Sequence, residues 1–299
     1  MNTQPITPLG PLVTAMVTPF GSDGSIDYRR AEELTARLLA NGSSGLVVSG
    51  TTGESPTLTH AEKLELYRVV KAAAGTASVI ANTGDNETAF SIELSRQAQQ
   101  IGVDALLLVV PYYNRPNQEG LYRHFKAIAD AVDLPCYLYN VPGRTARNLD
   151  AVTTARLCEV KNIVGTKEAS GDLAQIGRIR ATTPNDFAIY SGNDSDTLPM
   201  LALGASGCVS VLSHVAGKPF RAMIEAFWSG DIDTARALHL RLLPVCDALF
   251  PATSPSPVPV KAALQLQGFD CGGLRLPLIE ATDAERENLR RALARAELL

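Results

Sequence analysis

The chain has 299 residues, 45% of them hydrophobic and 19% charged, with a formal net charge of −4. This balance is that of a globular protein with ample length for a large core, and the weak negative charge excludes the basic face that nucleic-acid binding needs. Apolar runs stay well short of the roughly 18 residues of a membrane span, and Met1–Gly10 lacks the basic-then-apolar order of a secretory leader, so a cytoplasmic protein is expected.

Taken in chain order, short apolar runs alternate with amphipathic helical patterns. The strand-like runs are Leu12–Thr18, Gly45–Ser49, Ser78–Asn82, Ala105–Val110, Pro135–Tyr139, Asn162–Thr166, Phe187–Ser191 and Cys208–Leu212. The helical patterns that follow them are Tyr28–Leu39, His60–Ala73, Glu87–Gln100, Gly120–Val132, Ala151–Val160, Leu173–Ala181, Asp196–Leu203 and Pro219–Trp228. Eight βα units imply an α/β fold with a parallel sheet, closed as a (β/α)8 TIM barrel over residues 1–230. A doubly wound open sheet is the alternative, but it rarely uses eight evenly spaced units. Residues 231–299 show no strand pattern. Asp233–Phe250, Lys261–Gln267 and Asp283–Leu298 read as helices around a Pro/Ser-rich break at Pro251–Val260, which makes a C-terminal helical subdomain.

The five cysteines (Cys136, Cys158, Cys208, Cys246, Cys271) are scattered, without a CxxC pair, and read as reduced thiols. The four histidines (His60, His124, His214, His239) are isolated, and no metal-ligand spacing appears, so neither a metal nor a bound cofactor is expected.

Chemistry concentrates at the expected carboxyl ends of the strands, where barrels of this type place their active sites. Lys167 directly follows the run Asn162–Thr166. A buried lysine must be paired, neutralised or put to use, and its neutral amine attacks carbonyls to form a Schiff base. Taken alone, the stretch fits better a lysine snorkelling from a strand end or paired with Glu168, and the rest of the chain reverses that weighting. The turn Gly50-Thr51-Thr52-Gly53-Glu54-Ser55 offers backbone N–H groups and hydroxyls to a carboxylate. Pro111-Tyr112-Tyr113-Asn114 and Tyr139-Asn140-Val141-Pro142-Gly143-Arg144 add phenols that relay protons and a guanidinium that grips a carboxylate. Packing at a subunit contact is the plain alternative for Tyr112 and Tyr113, and a solvated loop charge for Arg144. The inventory suits carbonyl chemistry on a small keto acid.

The segments GTTGESPTLT (Gly50–Thr59), PYYNRPNQEGLYRHF (Pro111–Phe125), YNVPGRT (Tyr139–Thr145), VGTKEASGD (Val164–Asp172), YSGND (Tyr190–Asp194), GASGCVSV (Gly204–Val211) and PVPVKAAL (Pro257–Leu264) resemble the dihydrodipicolinate synthase / N-acetylneuraminate lyase family over nearly the whole chain. The resemblance implies a lyase in which Lys167 forms a Schiff base with pyruvate, without an external cofactor. It implies that Tyr139 shuttles the proton with Thr51 and with Tyr113 of a neighbouring subunit. Thr51 and Thr52 would bind the pyruvate carboxylate, Arg144 the carboxylate of L-aspartate 4-semialdehyde, and the Val209 carbonyl would orient the imine. A homotetramer built as a dimer of dimers is implied as well. Arg144 favours the semialdehyde over the polyols of the sugar-acid branch, whose aldolases and dehydratases are the alternative. A keto-acid sensor without activity would have lost Lys167 or Tyr139, and a metal-dependent barrel lyase would show a ligand set.

Three departures stand out. Lysine-inhibited relatives bind free lysine at a dimer interface, and Ser55, His60, Asn86 and Tyr112 match four of the residues involved. Phe90 stands where a carboxylate is expected and Lys63 where histidine is frequent, so lysine feedback is expected to be weak or absent. Ala146-Arg147 replaces a usual glycine, and Ser256 a usual asparagine.

Overall fold

A computed structural model describes residues 8–299 of the protein. The leader reading of Met1–Gly10 rests mostly on residues outside that range. Eight parallel strands close in sequence order: β1 (Leu12–Ala15), β2 (Gly45–Val48), β3 (Ser78–Asn82), β4 (Ala105–Val109), β5 (Cys136–Asn140), β6 (Ile163–Glu168), β7 (Ala188–Ser191) and β8 (Gly207–Ser210). β8 returns to β1 through the pairs Leu12–Cys208, Val13–Val209 and Thr14–Ser210. The helices are α1 (Tyr28–Ala40), α2 (His60–Ala73), α3 (Thr88–Ile101), α4 (Gln118–Ala129), α5 (Pro142–Thr145), α6 (Ala151–Leu157), α7 (Leu173–Thr182), α8 (Thr197–Ala202), α9 (Ser213–Ser229), α10 (Ile232–Leu249), α11 (Val258–Leu266) and α12 (Asp283–Arg295). The expected (β/α)8 barrel with a helical C-terminal region is present.

The strands read as continuous apolar runs because parallel strands here are buried on both faces. One set of side chains, including Val13, Val47, Ile80, Leu107, Tyr137, Tyr190 and Val209, fills the barrel interior. The alternate set, including Leu12, Leu46, Val79, Leu106, Leu138 and Ile189, packs outward against the helices. Close backbone approaches require glycine at several sites, among them one in β8 and one in β6. A Cβ at Gly207, whose φ is +143°, would lie 2.1 Å from the Pro11 carbonyl oxygen, and one at Gly165 would lie 2.6 Å from that of Ala188. These contacts are what let β8 and β6 approach their neighbours. Side-chain caps start most helices. Thr59 and Thr282 form full capping boxes with Glu62 and Glu285.

The C-terminal helices share the outer core. α10 packs on α9 and α12, and Leu242, Val245, Leu249, Leu289 and Leu293 join the cluster beneath the barrel helices. Element ends shift by a few residues in several places, as at β1, which ends at Ala15, and β6, which runs on to Glu168, and two helix starts differ most from expectation. α11 begins at Val258, inside the expected Pro/Ser-rich break, because Pro259 falls in its first turn, where the missing N–H costs nothing. α9 begins at Ser213, not Pro219, with a kink at Ala216 that places Pro219 at the start of its second segment. The one-turn helix α5 was not anticipated. Among the described residues no helix is long and apolar enough to cross a membrane, no cluster of three or more His, Cys, Asp or Glu stands together, and the five cysteines are free.

Candidate active site

β6 delivers Lys167. The parallel register sets it beside Tyr139 on β5 and Tyr190 on β7. Residues at matched register share a face, so all three project into the barrel interior. The Lys167 side chain is 6% exposed, and its Nζ lies 4.2 Å from the centre of the Tyr139 ring. Among the described residues no carboxylate lies within ion-pair distance of it. A bare backbone makes room for its stem: a Cβ at Gly192, just beyond β7, would stand 3.1 Å from Lys167 Cε and 3.2 Å from Cγ.

Glu168 does not pair with Lys167, because successive strand residues face opposite ways. It registers with Asn140 and Ser191 and points out of the barrel. Its carboxyl accepts from Asn140 Nδ2 (3.1 Å to each oxygen), the Ser170 backbone N–H (2.9 Å) and Gln175 Nε2 (3.3 Å). Burial pushes its pKa up, against those donors. Asn140 Oδ1 in turn accepts from Leu149 N at 2.9 Å, so this buried network braces the loop that carries Arg144.

The β2–α2 turn folds on itself through Gly53 N–Gly50 O, Glu54 N–Thr51 O and Ser55 N–Gly50 O bonds of 3.1, 3.1 and 3.2 Å. Thr18 Oγ1 donates to Gly53 O at 2.7 Å, tying the turn to the loop that follows β1. Thr52 is buried, and Thr51 faces a cavity of about 210 Å³ together with Asn82, Tyr112, Val141 and Arg144. Arg144 rides on α5, which ends at Ala146 with φ +56°. A left-handed residue explains why glycine is usual there. Val209 on β8 belongs to the same interior cluster as Tyr139 and Val141.

The structure thus brings Lys167, Tyr139 and Val209 together inside the barrel, and Thr51 and Arg144 together at the mouth cavity. Tyr113 stands apart, 89% exposed with a strained φ of +73°. Tyr112 lines the cavity and donates to Asp85 Oδ2 at 3.1 Å, and burial, reinforced by the Asp85 charge, pushes its pKa up to about 12.

Three residues without an assigned role matter to this geometry. Gly192 accommodates the lysine stem. Asp194, fully buried and pushed up in pKa by that burial, accepts from Val211 N (3.1 Å) and Leu212 N (2.9 Å) and so holds the turn after β8. Glu54 bonds Lys261 of α11 at 2.8 Å. All lie inside the motif segments quoted above, in polar glycine-containing turns at strand ends that give no local sign of burial.

Comparison with known proteins came to one result. The profile of the dihydrodipicolinate synthetase family matches residues 8–296. A 4-hydroxy-tetrahydrodipicolinate synthase from Moorella thermoacetica is 57% identical, over 97% of this chain and 99% of its own. The crystal structure of dihydrodipicolinate synthase DapA-2 from Bacillus anthracis matches with a TM-score of 0.93 at 49% identity, covering 96% of this chain and 98% of that one. The structure of the Cyanidioschyzon merolae enzyme with lysine bound matches with a TM-score of 0.95 at 48% identity, covering 97% and 99%.

Proposed function

We infer the function from one premise: the chain belongs to the dihydrodipicolinate synthetase family. It is a lyase, and the reaction assigned to it is that of a 4-hydroxy-tetrahydrodipicolinate synthase, the condensation of pyruvate with L-aspartate 4-semialdehyde on the diaminopimelate route to lysine. The observation that carries the reading is the Lys167 amine, buried on the inner face of β6 against the Tyr139 ring and without a carboxylate partner.

The Lys167 amine adds to the keto carbon of pyruvate, and water leaves to give an iminium. Loss of a methyl proton, relayed through Tyr139 and Thr51, gives the enamine. The enamine carbon then attacks the aldehyde carbon of the semialdehyde, whose oxygen takes up a proton. The amino group of the bound semialdehyde displaces Lys167 from the imine carbon, which closes the ring and restores the free amine. Thr51 and Thr52 hold the pyruvate carboxylate, and Arg144 holds that of the semialdehyde. The shared cavity of Thr51 and Arg144 supports those two assignments. The Val209 carbonyl orients the imine. No external cofactor or metal takes part in this scheme; the covalent imine is the electron sink.

Three further proposals belong to the same reading. The exposed, strained Tyr113 completes the proton relay of a neighbouring subunit in a tetramer built as a dimer of dimers. The chain divides into a catalytic barrel (1–230) and a helical subdomain (231–299). The protein works in the cytoplasm, an assignment with which its five free thiols agree. Borohydride reduction in the presence of pyruvate tests the mechanism. A single reduced pyruvyl adduct on Lys167 is expected, and an unmodified Lys167 overturns the assignment.

A further inference from the structure

We propose that the buried Glu54–Lys261 ion pair is a positioning device through which the segment 261–275 sets the pose of the Gly50–Ser55 turn and with it the affinity for pyruvate. The inference rests on the reading above that Thr51 and Thr52 bind the pyruvate carboxylate.

Glu54 follows Thr52 by two residues and closes the turn in the left-handed region, with φ +57°. Its side chain is 0% exposed and that of Lys261 is 4% exposed. Each carboxylate oxygen has one donor from the C-terminal part of the chain: Lys261 Nζ reaches Oε1 at 2.8 Å, and the Arg275 backbone N–H reaches Oε2 at 3.0 Å. Lys261 spends a second N–H on Gly273 O at 2.7 Å, and its Nζ lies 4.3 Å from the centre of the Phe20 ring.

Arg275 extends the same fastening. Its guanidinium lies 4.7 Å from the Phe20 ring centre and donates to Gly24 O (2.9 Å), Thr57 O (2.8 Å) and both oxygens of Glu62 (2.9 and 2.5 Å). Phe20 N donates to Cys271 O at 2.9 Å, and a Cβ at Gly272 would fall 1.8 Å from Phe20 O, so the two backbones are in direct contact. The segment after α11 therefore grips the β2–α2 loop at Glu54 and Thr57, the first turn of α2 at Glu62, and the β1–α1 loop at Phe20 and Gly24.

A buried ion pair is weak evidence for stability, since well-packed apolar residues serve as well or better. What charges add here is geometry. A carboxylate with one donor on each oxygen is held in rotation as well as in place, and the carboxylate sits on the turn that presents Thr51 and Thr52. Glu54 and Lys261 are thus positioning residues that act through the turn, not groups that touch substrate.

The test measures the pyruvate concentration for half-maximal borohydride trapping, with both KM values and kcat, in wild type, Glu54→Gln, Lys261→Met and the double variant. Glu54→Gln keeps the shape of the side chain and guards against failure of Lys261→Met to fold. A turn displaced by up to about 1 Å raises the half-saturating pyruvate concentration roughly 10- to 100-fold. The semialdehyde KM stays within about twofold, and the double variant, which leaves no lone buried charge, recovers part of the loss. Folded single variants with wild-type pyruvate saturation overturn the proposal. So does a loss spread equally over both KM values and kcat. A wild-type protein that traps no pyruvate overturns instead the reading on which the proposal rests.

Discussion

Gly192→Ala tests whether the space around the Lys167 stem matters to the chemistry. The added methyl would stand 2.7 Å from Ala169 Cβ and 3.1 and 3.2 Å from Lys167 Cε and Cγ. Carbon atoms prefer separations of about 3.5–4.0 Å, so something must move by roughly half an ångström or more. Ala169 Cβ has no rotamer to escape into, and the lysine stem is the mobile neighbour. Overpacking of this kind costs about 1–3 kcal/mol. Borne by the placement of Nζ, that corresponds to roughly a 5- to 150-fold loss in kcat/KM, at about 1.4 kcal/mol per tenfold. The assay is steady-state turnover, the rate of borohydride trapping with pyruvate, and a thermal melt on the same protein. Both rates should fall in protein that remains folded. Gly177→Ala is the control: its methyl meets nothing within 4 Å inside α7, so activity is unchanged and stability rises by about 0.4–1 kcal/mol. A folded Gly192→Ala protein with wild-type kcat/KM and trapping rate would refute the reasoning.

Other consequences follow from single residues. Tyr113→Phe should lower turnover while leaving pyruvate trapping largely intact, as the proposed relay to a neighbouring subunit requires; unchanged turnover would remove Tyr113 from the mechanism. His214 accepts from Val17 N at 3.2 Å and bonds Val211 O at 2.8 Å, and burial holds its pKa down at about 4 against an ordinary 6.5. Between those values the unfolded chain binds a proton that the native chain refuses, so stability rises with pH from about 4 to 6.5 and is complete above it, by roughly 3 kcal/mol. Denaturant melts at pH 5 and pH 7 should show that slope, diminished in His214→Gln; an identical slope in the variant would contradict it. Lysine should inhibit weakly if at all. Phe90 meets the His60 ring edge-on at 5.3 Å and lies 5.7 Å from Lys63 Nζ, so an apolar ring and a cation occupy the region where a carboxylate would hold the inhibitor's amine. Loss of half the activity at sub-millimolar lysine would refute that expectation.

Much of the barrel was legible in the sequence for a physical reason. Strands buried on both faces leave unbroken apolar runs, and β3 matches its expected run residue for residue. Lys167 was legible because an amine at the end of such a run needs an explanation. The fate of Glu168 was not, because the expected run stops at Thr166, whereas β6 continues through Glu168, and only inside a strand does alternation put Lys167 and Glu168 on opposite faces. Proline misled at α11, where Pro259 sits in a tolerated first turn, and at α9, where the kink precedes Pro219. The Glu54–Lys261 pair joins residues 207 positions apart, and no local pattern announces it. Gly192 carries no side chain to announce a role, and only the position of the Lys167 stem gives it a purpose.

The central claim is that Lys167 carries pyruvate into condensation with L-aspartate 4-semialdehyde. Its most direct test is turnover of those two substrates, coupled to the next reductase and followed by nicotinamide absorbance, in wild type and Lys167→Ala. Robust turnover in wild type, abolished by the substitution in protein that remains folded, is the expected result. A folded Lys167→Ala enzyme that retains wild-type turnover would contradict the assignment of the nucleophile. A wild-type enzyme that traps pyruvate yet leaves the semialdehyde untouched would keep the Schiff base and contradict the second substrate.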